Sequence, residues 1–178
     1  MASAFTHTVV GLAIGAGFPP PSRSARFWVL GAGGAAIPDL DVIGYRLGVP
    51  YDSLFGHRGF THSLAFAALF AGLCLVAFRG NSAGERRLIW LYLFLATASH
   101  GVLDAMTSGG GGVAFFAPFV NERYFFPWRP ILVSPLDPRR FFTARGIAIL
   151  RNEFVWVWTP SIAFALVTRA LRRSTAVT

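Results

Sequence analysis

Apolar residues gather into five runs along the chain, separated by turn-forming and charged stretches. Three runs, residues 63–78, 88–106 and 154–171, approach the roughly 20 residues a helix needs to cross a bilayer. The first of these is the shortest and is expected to extend back into residues 60–61. Two shorter runs precede them, residues 4–18 and 27–37, each too short to span comfortably alone. Pro19, Pro20 and Pro21 break the chain between these two, so they read as a helical hairpin tucked against the bundle. Gly31, Gly33, Gly34 and the neighbouring alanines would let another helix approach closely.

Two polar stretches remain. Residues 38–56 begin Pro38-Asp39-Leu40-Asp41, where the chain is expected to be extended. Residues 107–152 start in a glycine run, Gly109 to Gly112, and continue with aromatics interleaved with arginine and proline. A 46-residue connector is too long to be plain, and it reads as a functional loop or lid. The pattern therefore predicts one all-α domain over residues 1–178. It is a membrane-embedded bundle of about three long helices and an N-terminal hairpin, with one long polar and aromatic loop.

Composition sharpens this. The hydrophobic fraction is 54% and the charged fraction only 13%, against roughly 25% charged in soluble domains. The net charge of +8 comes from sixteen arginines and no lysine. Cys74 stands alone in an apolar run, which excludes a disulfide framework or a cysteine-rich metal site. The N-terminus lacks the basic region and cleavage pattern of a removable signal peptide. The lipid bilayer is the expected partner, and nucleic acid is not.

Arginine placement orients the bundle. Arg23 and Arg26 lie at the first turn-around, Arg79, Arg86 and Arg87 between the first two long helices, and Arg169, Arg172 and Arg173 at the end. An up-and-down path puts these eight on one face with a single acid, Glu85. The other face carries eight arginines and seven acids, many of them in the long loop, which the positive-inside rule weighs lightly. A cytoplasmic C-terminus in the inner membrane follows.

The same path collects the candidate chemistry on the opposite face. His7 starts the first helix, Asp39 and Asp41 follow the second, and His57 and His62 precede the third. His100 and Asp104 lie near the far end of the fourth, one helical face presenting both. Each has a plain alternative, such as a hydrogen-bonded core histidine, a helix cap or an interhelical pair. Together they include every histidine in the chain, and ionisable residues within spans default to function. Imidazole plus carboxylate is the ligand set of zinc, or of manganese and iron where oxygen dominates.

These residues resemble the YdjM family of integral inner-membrane proteins, described as membrane-bound metal-dependent hydrolases. The resemblance rests on His7, Pro38-Asp39-Leu40-Asp41 and Gly56-His57-Arg58-Gly59-Phe60-Thr61-His62-Ser63. It continues in Ser99-His100-Gly101-Val102-Leu103-Asp104-Ala105-Met106-Thr107 and covers most of residues 1–135. The aromatic stretch from Phe125 to Ile131 also fits the family, whereas the last helix is only generically similar. The family is distantly similar to zinc-dependent phospholipase C and to zinc nucleases of the same all-α fold, where a His-x-x-x-Asp helix supplies ligands. The resemblance implies that His7, His57 or His62, His100 and Asp104 are ligands and that Asp39 or Asp41 is a ligand or base. Those soluble relatives hold three zincs with further downstream ligands. No histidine follows His100 here, so one or two ions are expected.

The metal set is then His7, Asp41, His57, His62, His100 and Asp104, holding a divalent cation, zinc first and manganese or iron next. Asp39, Asp41 and Arg58 form the candidate catalytic set, and Arg123 and Arg129 the candidate phosphate clamps. The expected activity is hydrolysis of a phosphoester, a phospholipid or other lipid-linked phosphate, at the extracytoplasmic face. The alternative is a metal or proton transporter using the same cluster.

Overall fold

The computed structural model describes residues 1–19 and 24–175, so Pro20, Pro21 and Arg23 of the expected turn-around lie outside the described residues. Helix α1 spans Ala4–Ala16, capped by the Ser3 side chain, which accepts the Thr6 N–H. Helix α2 spans Ala25–Ala36 behind an equivalent cap, Ser24 accepting from Phe27. The chain does not become extended after α2. Pro38 sits in the first turn of a 3₁₀ segment, Ile37–Leu40, where its missing N–H costs nothing. This leads straight into α3, Asp41–Arg46. The three pieces form one 22-residue helical run, Ala25–Arg46, long and apolar enough to cross a membrane.

That run corrects the expected set of spans. Helix α4, Leu64–Cys74, continues through a 3₁₀ turn, Leu75–Phe78. It is short for a bilayer core of about 30 Å, since fifteen residues rise only about 22 Å. Helix α5 spans Ala83–Ala105 and opens with a reciprocal capping box between Ser82 and Glu85. A short helix α6, Pro138–Phe141, precedes α7, Ala144–Glu153, which runs through a π turn, Phe154–Trp158, into α8, Thr159–Thr175. The final span thus covers Ala144–Ser174, starting ten residues before the apolar run that announced it. Three candidate spans remain among the described residues, but Ala25–Arg46 takes the place expected of residues 63–78.

Helix α5 is the axis of the bundle, 61% buried over its most apolar window against 11% for the last span, which faces outward. Phe27, Ala71, Phe78, Ile89, Tyr92, Leu93 and Ala96 form the core. Phe27 and Tyr92 stack at 3.9 Å. Gly31 makes this possible, because a Cβ there would overlap the Tyr92 ring, and a Cβ on Gly11 would meet Ala35 at 2.8 Å. Gly34 packs against Phe70 and Thr97, whereas Gly33 faces open space and contributes no packing.

The two ends of the bundle differ in chemistry. At one, Arg26 donates to the Ala77 carbonyl at 2.9 Å, Arg172 donates to Phe18, and Arg169 and Arg173 line a cavity with Trp28. At the other, residues 106–137 fold over the helix ends without forming a strand among the described residues. Isolated bridges pair Thr107 with Ile131 and Val113 with Tyr124. The Ser134 N–H donates to the Met1 carbonyl at 2.9 Å, closing this layer onto the start of α1.

Candidate metal centre

The end opposite the arginines brings all four histidines together with Asp39, Asp41 and Asp104. Helix α1 supplies His7 from its first turn, and the 3₁₀ segment and the first residue of α3 supply Asp39 and Asp41. A second 3₁₀ turn, Phe60–His62, supplies His62, and Ser63 caps α4 immediately after it. Helix α5 presents His100 and Asp104 on adjacent turns.

Their donor atoms form two groups that share His62. Asp39, His62, His100 and Asp104 make one, and Asp41, His57 and His62 the other, with donor atoms within 4.8 Å of one another in each. In the first group, His100 Nε2 lies 3.0 Å from His62 Nε2 and 3.3 Å from Asp39 Oδ1. His62 Nε2 lies 3.6 Å from Asp104 Oδ2 and 3.9 Å from Asp39 Oδ1. Four ligands at tetrahedral zinc-type bond lengths stand roughly 3.3–3.5 Å apart. The second group is different. His57 Nδ1 and Asp41 Oδ1 are 2.6 Å apart, a hydrogen bond rather than a pair of ligands.

Hydrogen bonds on the far side of each ring fix which nitrogen faces the cluster. His100 Nδ1 meets the Ala35 carbonyl at 2.7 Å, and a carbonyl only accepts, so Nδ1 carries the proton and Nε2 offers a lone pair. His62 Nδ1 meets Asp41 Oδ2 at 3.2 Å, which directs its Nε2 in the same way. Two facing lone pairs 3.0 Å apart need a shared cation, either a proton or a metal ion. Burial lowers the His62 pKa, but pairing with Asp104 and Asp41 more than reverses this and pushes it up to about 9. His57 shifts the other way, lowered chiefly by burial.

Unpaired buried atoms mark the same spot. Among the described residues, neither oxygen of Asp39 nor either ring nitrogen of His7 finds a hydrogen-bond partner. His7 is fully buried, stacks on His100 at 3.6 Å between centroids, and places Nε2 at 3.5 Å from Asp104 Oδ1. The four-residue group thus leaves His7 alongside rather than within it. These residues fit a divalent cation of the nitrogen- and oxygen-loving kind.

Asp41 plays another part. Its two oxygens receive His57 Nδ1, the Arg58 N–H at 3.2 Å and the Thr61 hydroxyl at 2.7 Å, besides facing His62. It holds rings in place, as carboxylates behind ligating histidines do. The segment carrying Asp39 and Asp41 is helical, not extended as expected from Pro38. They approach His62 from opposite sides.

Arg58 is fully buried and sits at φ 64°. Its Nε lies 3.0 Å from Asp104 Oδ2, an ion pair not aligned as a hydrogen bond, while its other nitrogens donate to Gly109 O at 3.0 Å and Thr107 Oγ1 at 2.9 Å. Gly110, at φ 98°, passes so near that a Cβ would fall 2.5 Å from the Arg58 guanidinium. Arg123 donates to the carbonyls of His57 and Tyr51, both at 2.8 Å, and so ties the long loop to the histidine loop. Arg129 is exposed, its guanidinium over the Phe125 ring at 4.8 Å, and makes no hydrogen bond to the cluster among the described residues.

Glu153 was not singled out from the sequence. It is fully buried at the end of α7 and accepts from Ser3 N at 2.6 Å, Ser3 Oγ at 2.5 Å and Thr6 Oγ1 at 2.7 Å. Ala2 N donates to Asp104 Oδ1 at 2.7 Å. Together these anchor the start of α1, and with it His7. An acid at the mouth of an apolar run, Glu153 before Phe154-Val155-Trp156-Val157-Trp158, was the signal.

Comparison with known proteins agrees with this picture of a membrane protein. The chain is 40% identical over 163 residues to the inner membrane protein YbcI of Escherichia coli (strain K12), covering 91% of this chain and 94% of that protein. No solved structure matches it. The YdjM inner membrane protein model matches residues 1–175, and the chain belongs to that family of inner membrane proteins.

Proposed function

We propose that the protein is a membrane-embedded, metal-dependent hydrolase that cleaves a phosphoester at the extracytoplasmic end of the bundle. The observation that carries this reading is the convergence of two imidazole and two carboxylate donors at 3.0–3.9 Å, each ring held from behind. Asp39, His62, His100 and Asp104 would hold the ion, zinc by its ligand set and manganese or iron next, with His7 beside them. A bound divalent cation supplies a more acidic water and a polarised phosphoryl oxygen.

The chain's own groups do the rest. Asp41 and the Ala35 carbonyl keep the His62 and His100 rings turned inward. Arg58 pairs with Asp104 at 3.0 Å and fixes its position. Asp39 borders an open cleft while both of its carboxylate oxygens, buried and without hydrogen bonds among the described residues, face the cluster. One would join the ion and the other accept the proton of an attacking water. Water oxygen bonds to phosphorus, the ester P–O bond breaks, and the proton passes through Asp39 to the departing alkoxide.

Transport of a metal ion or proton is the rival reading. It needs a route onward through the bundle, and the core toward the arginine end is packed with Phe27, Ile89, Leu93 and Ala96. Phosphodiester, phosphomonoester and carboxylester lipids offered to purified wild-type and His100→Ala protein separate the readings. Metal-dependent release of phosphate ester products by the wild type alone is expected. Preference for a carboxylester would remove the phosphoester assignment, and no turnover of any ester by metal-loaded protein would remove the hydrolase.

A further inference from the structure

An apolar cleft of about 340 Å³ lies beside the cluster, between the start of α1, α3 and residues 134–142. Asp39 lines it, and Arg46 stands at its other end. Phe5, Leu40, Ile43 and Phe142 line it too, and they are 58–81% exposed. In a bilayer protein such residues face lipid, so the cleft opens sideways as well as toward water. A second cavity, about 590 Å³, adjoins it through Arg46 and Leu136 and is lined also by Tyr45, Asp137 and Arg139. The first volume lies within the roughly 300–1,000 Å³ of small-molecule pockets.

Position along the helix sets the polarity of the cleft. Asp39 and Arg46 are seven residues apart, about 10 Å of helix rise. Arg46 spends one donor on the Leu136 carbonyl at 2.8 Å, and both it and Arg139 are exposed. The arrangement is an apolar slot bordered by Asp39 at its inner end and by Arg46 at its outer end, where the adjoining cavity adds Arg139 and Asp137. A soluble polar substrate has no use for the slot, and a neutral lipid has none for the arginines. Arg123 and Arg129 do not line it.

We propose that this cleft is the binding site of a membrane lipid bearing an anionic headgroup. Its hydrocarbon chain enters between Phe5, Ile43 and Phe142, and its charged group is held by Arg46 and Arg139. The inference deepens the hydrolase reading by naming the substrate class, and only the step from bound lipid to substrate rests on that reading. Lipid occupancy itself does not.

The test reads binding without turnover. The protein is reconstituted in bilayers containing phosphatidic acid with a diazirine in its acyl chain, irradiated, and the labelled peptides are mapped. Labels should concentrate on residues 1–5, 40–46 and 134–142. Ile43→Trp, which fills the cleft from its exposed side, should reduce them several-fold, whereas Leu69→Trp on α4 should not. Arg46→Gln with Arg139→Gln should abolish the advantage of phosphatidic acid over phosphatidylcholine bearing the same diazirine. Labelling spread evenly over α4 and α8, or indifferent to Ile43→Trp, would overturn the proposal. Cleft labelling in a protein that hydrolyses no ester would sink the hydrolase reading alone. Hydrolysis of a soluble phosphoester with uniform lipid labelling would sink this one alone.

Discussion

Asp39 and Asp41 stand two residues apart and differ completely in what they bond: Asp41 accepts from His57, Arg58 and Thr61, and Asp39 from nothing. A saturated carboxylate orients its neighbours, and an unsatisfied one facing two imidazoles is available to a cation.

Asp39→Asn should therefore lose the metal outright. Asp41→Asn should keep the site while weakening metal affinity by about 10–100-fold, the usual cost of removing a group behind a ligand. Metal content after dialysis against graded chelator separates the two. His100→Ala and Asp104→Ala should behave like Asp39→Asn, and Asp137→Ala like the wild type. Retention of a full metal complement by the His100→Ala protein would refute the constellation.

Arg58 and Asp104 form a buried ion pair, both fully inaccessible. Removing one partner of such a pair strands the other charge, at roughly 3–5 kcal/mol. Arg58→Ala should thus destabilise the detergent-solubilised protein strongly. Arg58→Ala combined with Asp104→Asn should recover part of the loss, because the buried carboxylate is no longer left without its guanidinium. Simple additivity in denaturant unfolding would show that Arg58 acts through packing rather than through Asp104.

The sequence made the cluster legible because its signals are local in type and global in place. Histidines are few, and the alternation of apolar runs decides which end of the bundle each one reaches. His100 and Asp104 were readable as a pair from their helical spacing alone. The Asp39–Asp41 segment misled, because Pro38 reads as a helix breaker although it sits harmlessly in a first helical turn. That error hid the continuity of Ala25–Arg46 and so misplaced one span. Arg58 was expected in the catalytic set, and the structure buries it completely. Its burial depends on Gly109 and Thr107, some fifty residues away, and no local pattern encodes that closure.

Glu153 governs the position of His7 through Ser3 and Thr6. Hydrogen bonds to a charged acceptor contribute roughly 1.5–3 kcal/mol each. Glu153→Ala should raise amide hydrogen exchange across residues 3–8 by about 10–100-fold, since each tenfold corresponds to about 1.4 kcal/mol. Asn152→Ala serves as the control. It cuts the neighbouring link to Leu132 and Pro130 on the long loop but leaves α1 tied down. Equal effects of the two substitutions would mean that the anchor is the whole α7 segment and not the carboxylate.

The two unlike ends predict a membrane orientation. Arg26, Arg79, Arg86, Arg87, Arg169, Arg172 and Arg173 fall on short connections or near helix termini, and Arg26 and Arg172 reach across to neighbouring elements at that end. The opposite end carries its arginines largely in the long segment or buried, as Arg58 is, where they weigh little in topology. The end holding Asn81 should accordingly face the cytoplasm, and the end holding Asp52 and the cluster should face outward. With Cys74 replaced by alanine, single cysteines at positions 81 and 52 can be labelled in intact cells by a reagent that does not cross the inner membrane. Position 52 should label at once and position 81 only after permeabilisation. Labelling of position 81 in intact cells would invert the orientation and turn the cluster, with its cleft, toward the cytoplasmic leaflet. It would leave the shared face of the seven cluster residues untouched, because that is a property of the fold and not of its insertion.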